Sequence, residues 1–446
     1  MSTLLICNVQ IVNEGLIQEA DVFIKDSRID RIGTDLSHLA SDRYIDGLGN
    51  YLLPGIIDTQ SRLSSSTDSL KSIQIESKAA VAGGITSSML LPSHGEHLQQ
   101  PFVDLITQQR KISSFNNFSL YFLGTHNNLE EVPLLDSASF CGVYVDMASS
   151  NDSIRVDDHS SLERIFKESP SLVAFHAEDA PSIFESEESY RQIYGDSVPF
   201  QLHGSIRSAE ACYVAASEAF DIALSTQSRA HMLNVSSLKE VELLSSVRQQ
   251  TSLISADVCS HYLTFSDVDY ADRGSLLKCR PSIKSDIDRA ALMQGLLDND
   301  VDSISSGHTP IFLEDKQGQY FDVPSGLPLA QYTFPSILEH YQDQILSLEQ
   351  IVQKTSHSVA DCYGVVDRGY IREGYWADLV LVDLEGSFIA RDEDVFSEAG
   401  WTIFNGNEFR TSVTTTIVNG CVVFKDGSIV SDERPGASLT FDQRAP

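Results

Sequence analysis

Apolar and polar positions follow two different rhythms along this chain. At the N-terminal end the apolar runs are short and rich in β-branched residues. Segments 4–12, 20–24 and 29–32 read as strands, broken at Asn13-Glu14-Gly15 and Lys25-Asp26-Ser27. A matching set closes the chain at 377–382, 413–418 and 421–424, with Asn419-Gly420 as a hairpin signal. Between them, short apolar strands alternate with longer helical segments. The expected strands are 86–91, 118–123, 142–145, 172–176, 230–235, 251–257 and 303–306. The expected helices are 70–82, 160–167, 208–225, 238–247 and 287–297.

Strand–helix alternation sustained over this length predicts an α/β protein, a (β/α)8 TIM-type barrel. Residues 53–364 form the barrel in this reading. Residues 1–52 and 365–430 together form a small β-sandwich domain from both termini, and 431–446 are a C-terminal tail. Chemistry in such barrels sits just beyond the C-terminal ends of the strands. That rule directs attention to 58–62, Tyr144, His176, Asn234, His261 and Gly307.

Charge narrows the function classes. The chain has 446 residues, with 31 Lys and Arg against 63 Asp and Glu, a formal net charge of −32. Such a surface repels phosphate backbones and anionic membranes, so no nucleic-acid or membrane partner is expected. No apolar run reaches the ~18–20 residues of a membrane span, and the first residues lack a signal-peptide pattern. The seven cysteines are scattered and never form a Cys-x-x-Cys pair, which fits reduced thiols in a cytoplasmic protein.

Six segments in order carry a resemblance. They are Leu52-Leu53-Pro54-Gly55-Ile56-Ile57-Asp58, Ala79-Ala80-Val81-Ala82-Gly83-Gly84-Ile85-Thr86 and Phe175-His176-Ala177-Glu178-Asp179, followed by Ser306-Gly307-His308-Thr309-Pro310, Pro324-Ser325-Gly326-Leu327-Pro328 and Arg372-Glu373-Gly374-Tyr375-Trp376-Ala377-Asp378. In this order and spacing they resemble the amidohydrolase superfamily, and bacterial dihydroorotases best of all. Those enzymes interconvert carbamoyl-aspartate and dihydroorotate in pyrimidine synthesis.

The resemblance implies one or two Zn²⁺ held by a His-x-His pair, a carboxylated Lys, two further His and an Asp that also serves as base. Imidazole and carboxylate suit zinc, which lowers the pKa of bound water to ~7. Here the pair reads Gln60-Ser61-Arg62, and a guanidinium has no lone pair to offer a cation. Tyr144 stands at the lysine position, His176 is retained, Asn234 replaces the next histidine and Gly307 replaces the aspartate. The substrate-gripping Arg falls at Ser64, and two substrate-side Asn fall at Ser93 and Arg280. The expectation is therefore a dihydroorotase-like pseudoenzyme, with no cofactor and a structural or regulatory role.

Alternatives stay open. Glu178, Asp179 and Asp146 could form a new acid/base set, or be inherited structure balanced by arginines. His231, His261 and His308 read as core or pocket residues outside the metal set. Arg62 and Arg280, with His261, are candidate binding residues for a small anion; alternatively Arg62 fills the vacated metal volume as a structural repair. His94, Glu96 and His97 form a loop cluster with the letters of a metal site. An active cyclic-amide hydrolase with a remodelled site, using zinc, is the other function. The resemblance also implies aspartate transcarbamoylase as a partner, and homo-oligomers.

Overall fold

The computed structural model describes residues 2–64, 69–92 and 114–442, and in it the two ends of the chain share one sheet. The N-terminal segment supplies β1 (Thr3–Asn13), β2 (Leu16–Lys25), β3 (Arg28–Gly33), β4 (Arg43–Asp46) and β5 (Tyr51–Pro54). Eight strands follow: β6 (Ile56–Ser61), β7 (Ile85–Leu90), β8 (Asn117–Leu123), β9 (Gly142–Asp146), β10 (Val173–His176), β11 (Ala230–Leu233), β12 (Ile254–Cys259) and β13 (Ser303–Ser305). The C-terminal segment adds β14 (Leu379–Asp383), β15 (Phe388–Ile389), β16 (Glu408–Phe409), β17 (Ser412–Val418), β18 (Cys421–Lys425) and β19 (Ser428–Ile429).

Strands β6 to β13 pair in chain order, every pair parallel, as expected for strands whose residues are buried on both faces. Ser61 bridges His308 in parallel, and the Arg62 amide donates to the His308 carbonyl at 2.8 Å, so the eighth strand meets the first. The result is the expected (β/α)8 barrel. Helices Ser69–Ala82, His159–Glu168, Ala209–Thr226, Leu238–Arg248 and Asp286–Leu297 are among those connecting its strands. The Gly83-Gly84 turn shows how tightly one helix feeds the next strand. A Cβ on Gly83 would lie 2.3 Å from the Ala330 carbonyl oxygen, and Gly84 needs a φ of +79°.

In hydrogen-bond terms the small domain is one continuous nine-stranded sheet, because β5 pairs with both β1 and β14 and so ties the two termini together. Strand β4 escapes a pattern search because its residues are exposed or half-exposed, and it is held by the ladder to β1 alone. Strand β12 lies slightly later than the 251–257 expected, since the apolar run continues through Val258 and Cys259. Among the described residues no helix is long and apolar enough to cross a membrane.

The segment read as a tail packs across the barrel. Phe118 N–H donates to the Ala437 carbonyl, Leu439 N–H to Phe118, Phe441 N–H to Ala138 and Asp442 N–H to Gly364. Leu439 and Phe441 are buried with Tyr121, Tyr144 and Tyr363 in a cluster that also takes in Ile57, Met89 and Leu233 of the barrel strands. Near the other end of the barrel, the loop after β13 winds around Lys316. This side chain is fully buried, and its Nζ donates to the carbonyls of Lys278, Pro324 and Gly326 at 3.0, 3.1 and 3.0 Å. Burial pushes the Lys316 ammonium down to about 7.

Two outcomes follow. Phe441→Ala should destabilise the protein by about 3–5 kcal/mol, read as a shift of the urea midpoint; an unmoved midpoint contradicts the strap's role. For Lys316 the unfolded chain keeps its proton up to the ordinary 10.5, while the folded chain releases it near 7. The unfolded state thus binds more protons in that window, and this group makes folding more favourable as pH rises through it. The stability gap between the wild type and Lys316→Met should widen from pH 7 to 10; a gap independent of pH contradicts the burial argument.

Candidate functional site

At the C-terminal ends of the barrel strands Gln60, His231 and Asn234 come together around one carboxylate. Asp257, on β12, is fully buried and accepts four hydrogen bonds. The Gln60 side-chain amide donates at 2.6 Å, the Thr59 hydroxyl at 2.6 Å, the Asn234 backbone N–H at 2.9 Å and His231 Nε2 at 3.3 Å. His231 is thereby a core residue, with Nδ1 turned to the Ser255 hydroxyl at 2.7 Å.

His176 closes β10 and lies 3 % exposed. Its Nε2 is 2.8 Å from Glu178 Oε2, and its Nδ1 is 3.3 Å from the Asn234 side-chain nitrogen, so both ring nitrogens are engaged. Glu178 receives a two-pronged pair from Arg207, at 3.0 and 2.7 Å. Burial alone would raise the Glu178 carboxyl, but the Arg207 charge and the His176 contacts outweigh it and hold it well below the usual range. Asp179 is the N-cap of the helix Ala180–Tyr194, accepting from the Ser182 amide at 3.0 Å. The structure thus ties Glu178 and Asp179 into ion pairing and capping.

The two mouth arginines divide their work. Arg280 donates to Asp146 at 3.2 Å and to the Ala148 carbonyl at 3.2 Å. Burial opposes ionisation of Asp146, yet Arg280, then His176 and Arg62, hold it ionised far below the usual carboxylate range. Arg62 donates to the Pro92 carbonyl and, at 3.3 Å, to the Tyr144 hydroxyl. Burial, and after it the Asp146 charge, push the Tyr144 hydroxyl up, so it keeps its proton. The Tyr144 ring packs 6.3 Å from Tyr121, filling the barrel interior.

Gly307 has a φ of +62°, and a Cβ there would lie 2.7 Å from Cys259 Sγ. The thiol, hydrogen-bonded to Asn234 Oδ1 at 2.9 Å, takes the volume that a side chain at 307 would need. His261 lies beside this point, buried, its ring 4.0 Å from that of Tyr262. Neither of its nitrogens has a hydrogen-bond partner among the described residues, and burial pushes it down to about 3. No hydrogen bond joins it to Arg62 or Arg280. His308 is structural: the Leu329 and Ala330 amides donate to Nδ1, which leaves Nε2 to donate to Glu76 at 2.9 Å. Ser64 bonds Glu398 at 2.5 Å and Ser72 at 2.8 Å. Ser93, His94, Glu96 and His97 lie outside the described residues.

These residues do not fit a zinc centre. Arg62 repels a cation, Tyr144 holds its proton, Asn234 and Gly307 offer no ligand of the right kind, and both nitrogens of His176 are taken. Among the described residues no three His, Cys, Asp or Glu are grouped to hold a metal. Sequence reasoning missed Asp257, Cys259 and Arg207. Asp257 carried a signal, as a lone acidic residue in an apolar strand; Arg207 and Cys259 carried none.

Gly307→Asp should cost at least ~1–2 kcal/mol from left-handed backbone strain, with the Cys259 clash in addition. A thermal melt within error of the wild type would contradict the packing described for this turn.

Comparison with known proteins places this geometry. Residues 286–423 match the Amidohydrolase family. The chain is 26% identical over 448 aligned positions to an allantoinase of Desulfitobacterium hafniense, covering 96% of each. It is 28% identical over 423 positions to a dihydroorotase of Pyrococcus furiosus, covering 93% of this chain and 91% of the relative. Among solved structures it superposes on an L-hydantoinase (dihydropyrimidinase) from Arthrobacter aurescens with a TM-score of 0.91, at 23% identity and covering 99% and 100% of the two chains. A dihydropyrimidinase from Brevibacillus agri gives 0.88 at 23% identity, covering 98% of each. The fold of this chain is the amidohydrolase barrel with its terminal sheet domain.

Proposed function

We propose that this protein keeps a cyclic-amidohydrolase scaffold without zinc-dependent hydrolysis and works as a dihydroorotase-like structural or regulatory protein of pyrimidine synthesis. One contact carries the reading: the Arg62 guanidinium on the Tyr144 hydroxyl. A guanidinium with no lone pair to offer and a tyrosine that keeps its proton meet where the resemblance expects two metal ligands. The plug is reinforced because Gly307 has no room for a base beside Cys259. Fold alone does not carry chemistry, so the scaffold match supports the class and not the activity.

Similarity to allantoinases and dihydroorotases over nearly the whole chain supports a second reading, a cyclic-amide hydrolase with a remodelled site. One assay separates them. Purified protein is given dihydroorotate, allantoin and hydantoin, with and without added Zn²⁺. The proposal expects no turnover above background. Turnover that disappears in His176→Ala would overturn it. Association with aspartate transcarbamoylase rests on the resemblance alone; co-elution of the two proteins as a larger species is the expected result, and separate elution removes that partner.

A further inference from the structure

Away from the mouth, the sheet domain meets the barrel at a histidine whose hydrogen positions are fixed by its partners. A wide π-helical turn, Gln353–His357, packs against β6 and β13 and ends on this residue. Lys354 Nζ donates to the Val301 carbonyl at 2.7 Å and the Ser356 hydroxyl to that of Gly55 at 3.1 Å, next to the N-terminal ends of β13 and β6. His357 is 2 % exposed. Its Nδ1 is 2.7 Å from the Gly369 carbonyl oxygen, which can only accept, so Nδ1 carries the hydrogen. Its Nε2 accepts the Glu14 backbone N–H at 3.0 Å, so Nε2 is bare. The ring is therefore neutral. A proton on Nε2 would point at the amide hydrogen of Glu14 and replace an attraction with two opposed donors.

Glu14 sits in the turn between β1 and β2 with a φ of +51°, so this bond ties that turn to the barrel. Asn13 and Ile371 exchange two further hydrogen bonds beside it, at 3.1 and 3.0 Å, and the Glu14 carboxylate accepts from Arg372 at 2.5 Å. The titratable and charged groups around the imidazole are Glu14 from the turn, Asp361 from the helix Ser358–Tyr363, and Tyr370 and Arg372 from the segment that follows, with Tyr375 bonded to Arg372. Tyr370 stacks on the ring at 4.1 Å, gives its hydroxyl hydrogen to Asp361 at 2.8 Å, and carries Arg372 over its own ring at 3.9 Å. Burial, more than the Arg372 charge, pushes His357 below the ordinary 6.5, against Asp361 and Glu14, which favour a proton. Arg372 holds the Glu14 carboxyl below its usual range and burial pushes the Tyr370 hydroxyl up, so neither changes charge in mild acid. We propose that His357 is an acid-sensitive latch, and that a proton on Nε2 frees the Glu14 turn of the sheet domain from the barrel. The closed latch excludes a proton that the open one accepts at the ordinary 6.5, so the open form binds more protons in mild acid. The latch is closed above that pH and loosens as pH falls, whether or not zinc binds at the mouth.

The test is hydrogen exchange of the full-length protein between pH 7.5 and 5.0, read at the Glu14 amide by mass spectrometry with fragmentation. Each rate is divided by its intrinsic rate at that pH, which leaves the protection given by structure. Glu14 protection should fall by up to about tenfold per pH unit below 6.5, while peptides of β12 keep theirs. His357→Gln leaves an uncharged acceptor, so its Glu14 protection should not vary with pH. His357→Phe keeps the stack on Tyr370 and removes the acceptor, so protection should be low throughout. If His357→Gln does not fold, His357→Phe decides the matter. Glu14 protection that is constant with pH in the wild type, that falls together with β12, or that falls equally in His357→Gln overturns the latch. Protection in His357→Phe equal to that of the wild type at pH 7.5 does the same.

Discussion

Asp58, Asp146, Glu178 and Asp257 are each buried at 1 % exposure or less near the C-terminal ends of the barrel strands. Burying an unpaired charge there would cost several kcal/mol, so the architecture of the mouth follows from how each is compensated. Glu178 has Arg207, Asp146 has Arg280, and Asp257 has four hydrogen-bond donors. Asp58 has the Ser306 amide and hydroxyl, and burial still pushes it up to about 6. In an amidohydrolase with zinc, the metal would share this duty. In this chain side chains are placed to perform it.

This changes the meaning of the individual substitutions. Among the described residues Arg62 bonds two neutral partners while contributing to the field on Asp146. Tyr144 packs against Tyr121 with ring centroids 6.3 Å apart. Gly307 and Cys259 are one unit, because the glycine is what gives the thiol its room. Asn234 then links that unit to His176, so the one imidazole inherited at a ligand position is held by neutral and acidic partners on both sides.

Much of this was legible in the sequence. The alternation of apolar strands and helices marked the barrel, and Asn419-Gly420 with the paired terminal runs marked a domain made from both ends. The ordered motifs located Arg62, Tyr144, His176, Asn234, Gly307 and Arg280, and the barrel rule said they would converge. What stayed hidden depends on long-range contact. Strand β4 exists only through β1, and the burial of Leu439 and Phe441 through residues far away in the chain. Asp257 as the centre of four donors needs Gln60, Asn234 and His231 from different strands. Arg207 sits just before a helix N-cap, where nothing local distinguishes it from a surface arginine.

The side chains at the mouth, Arg62, Tyr144, Asn234 and Gly307, do not fit a metal. Zinc content after equilibrium dialysis against buffered Zn²⁺ tests it directly, with His176→Ala measured alongside. Well under one zinc per chain is expected, with no difference between the two proteins. One zinc bound per wild-type chain and lost in His176→Ala would contradict it.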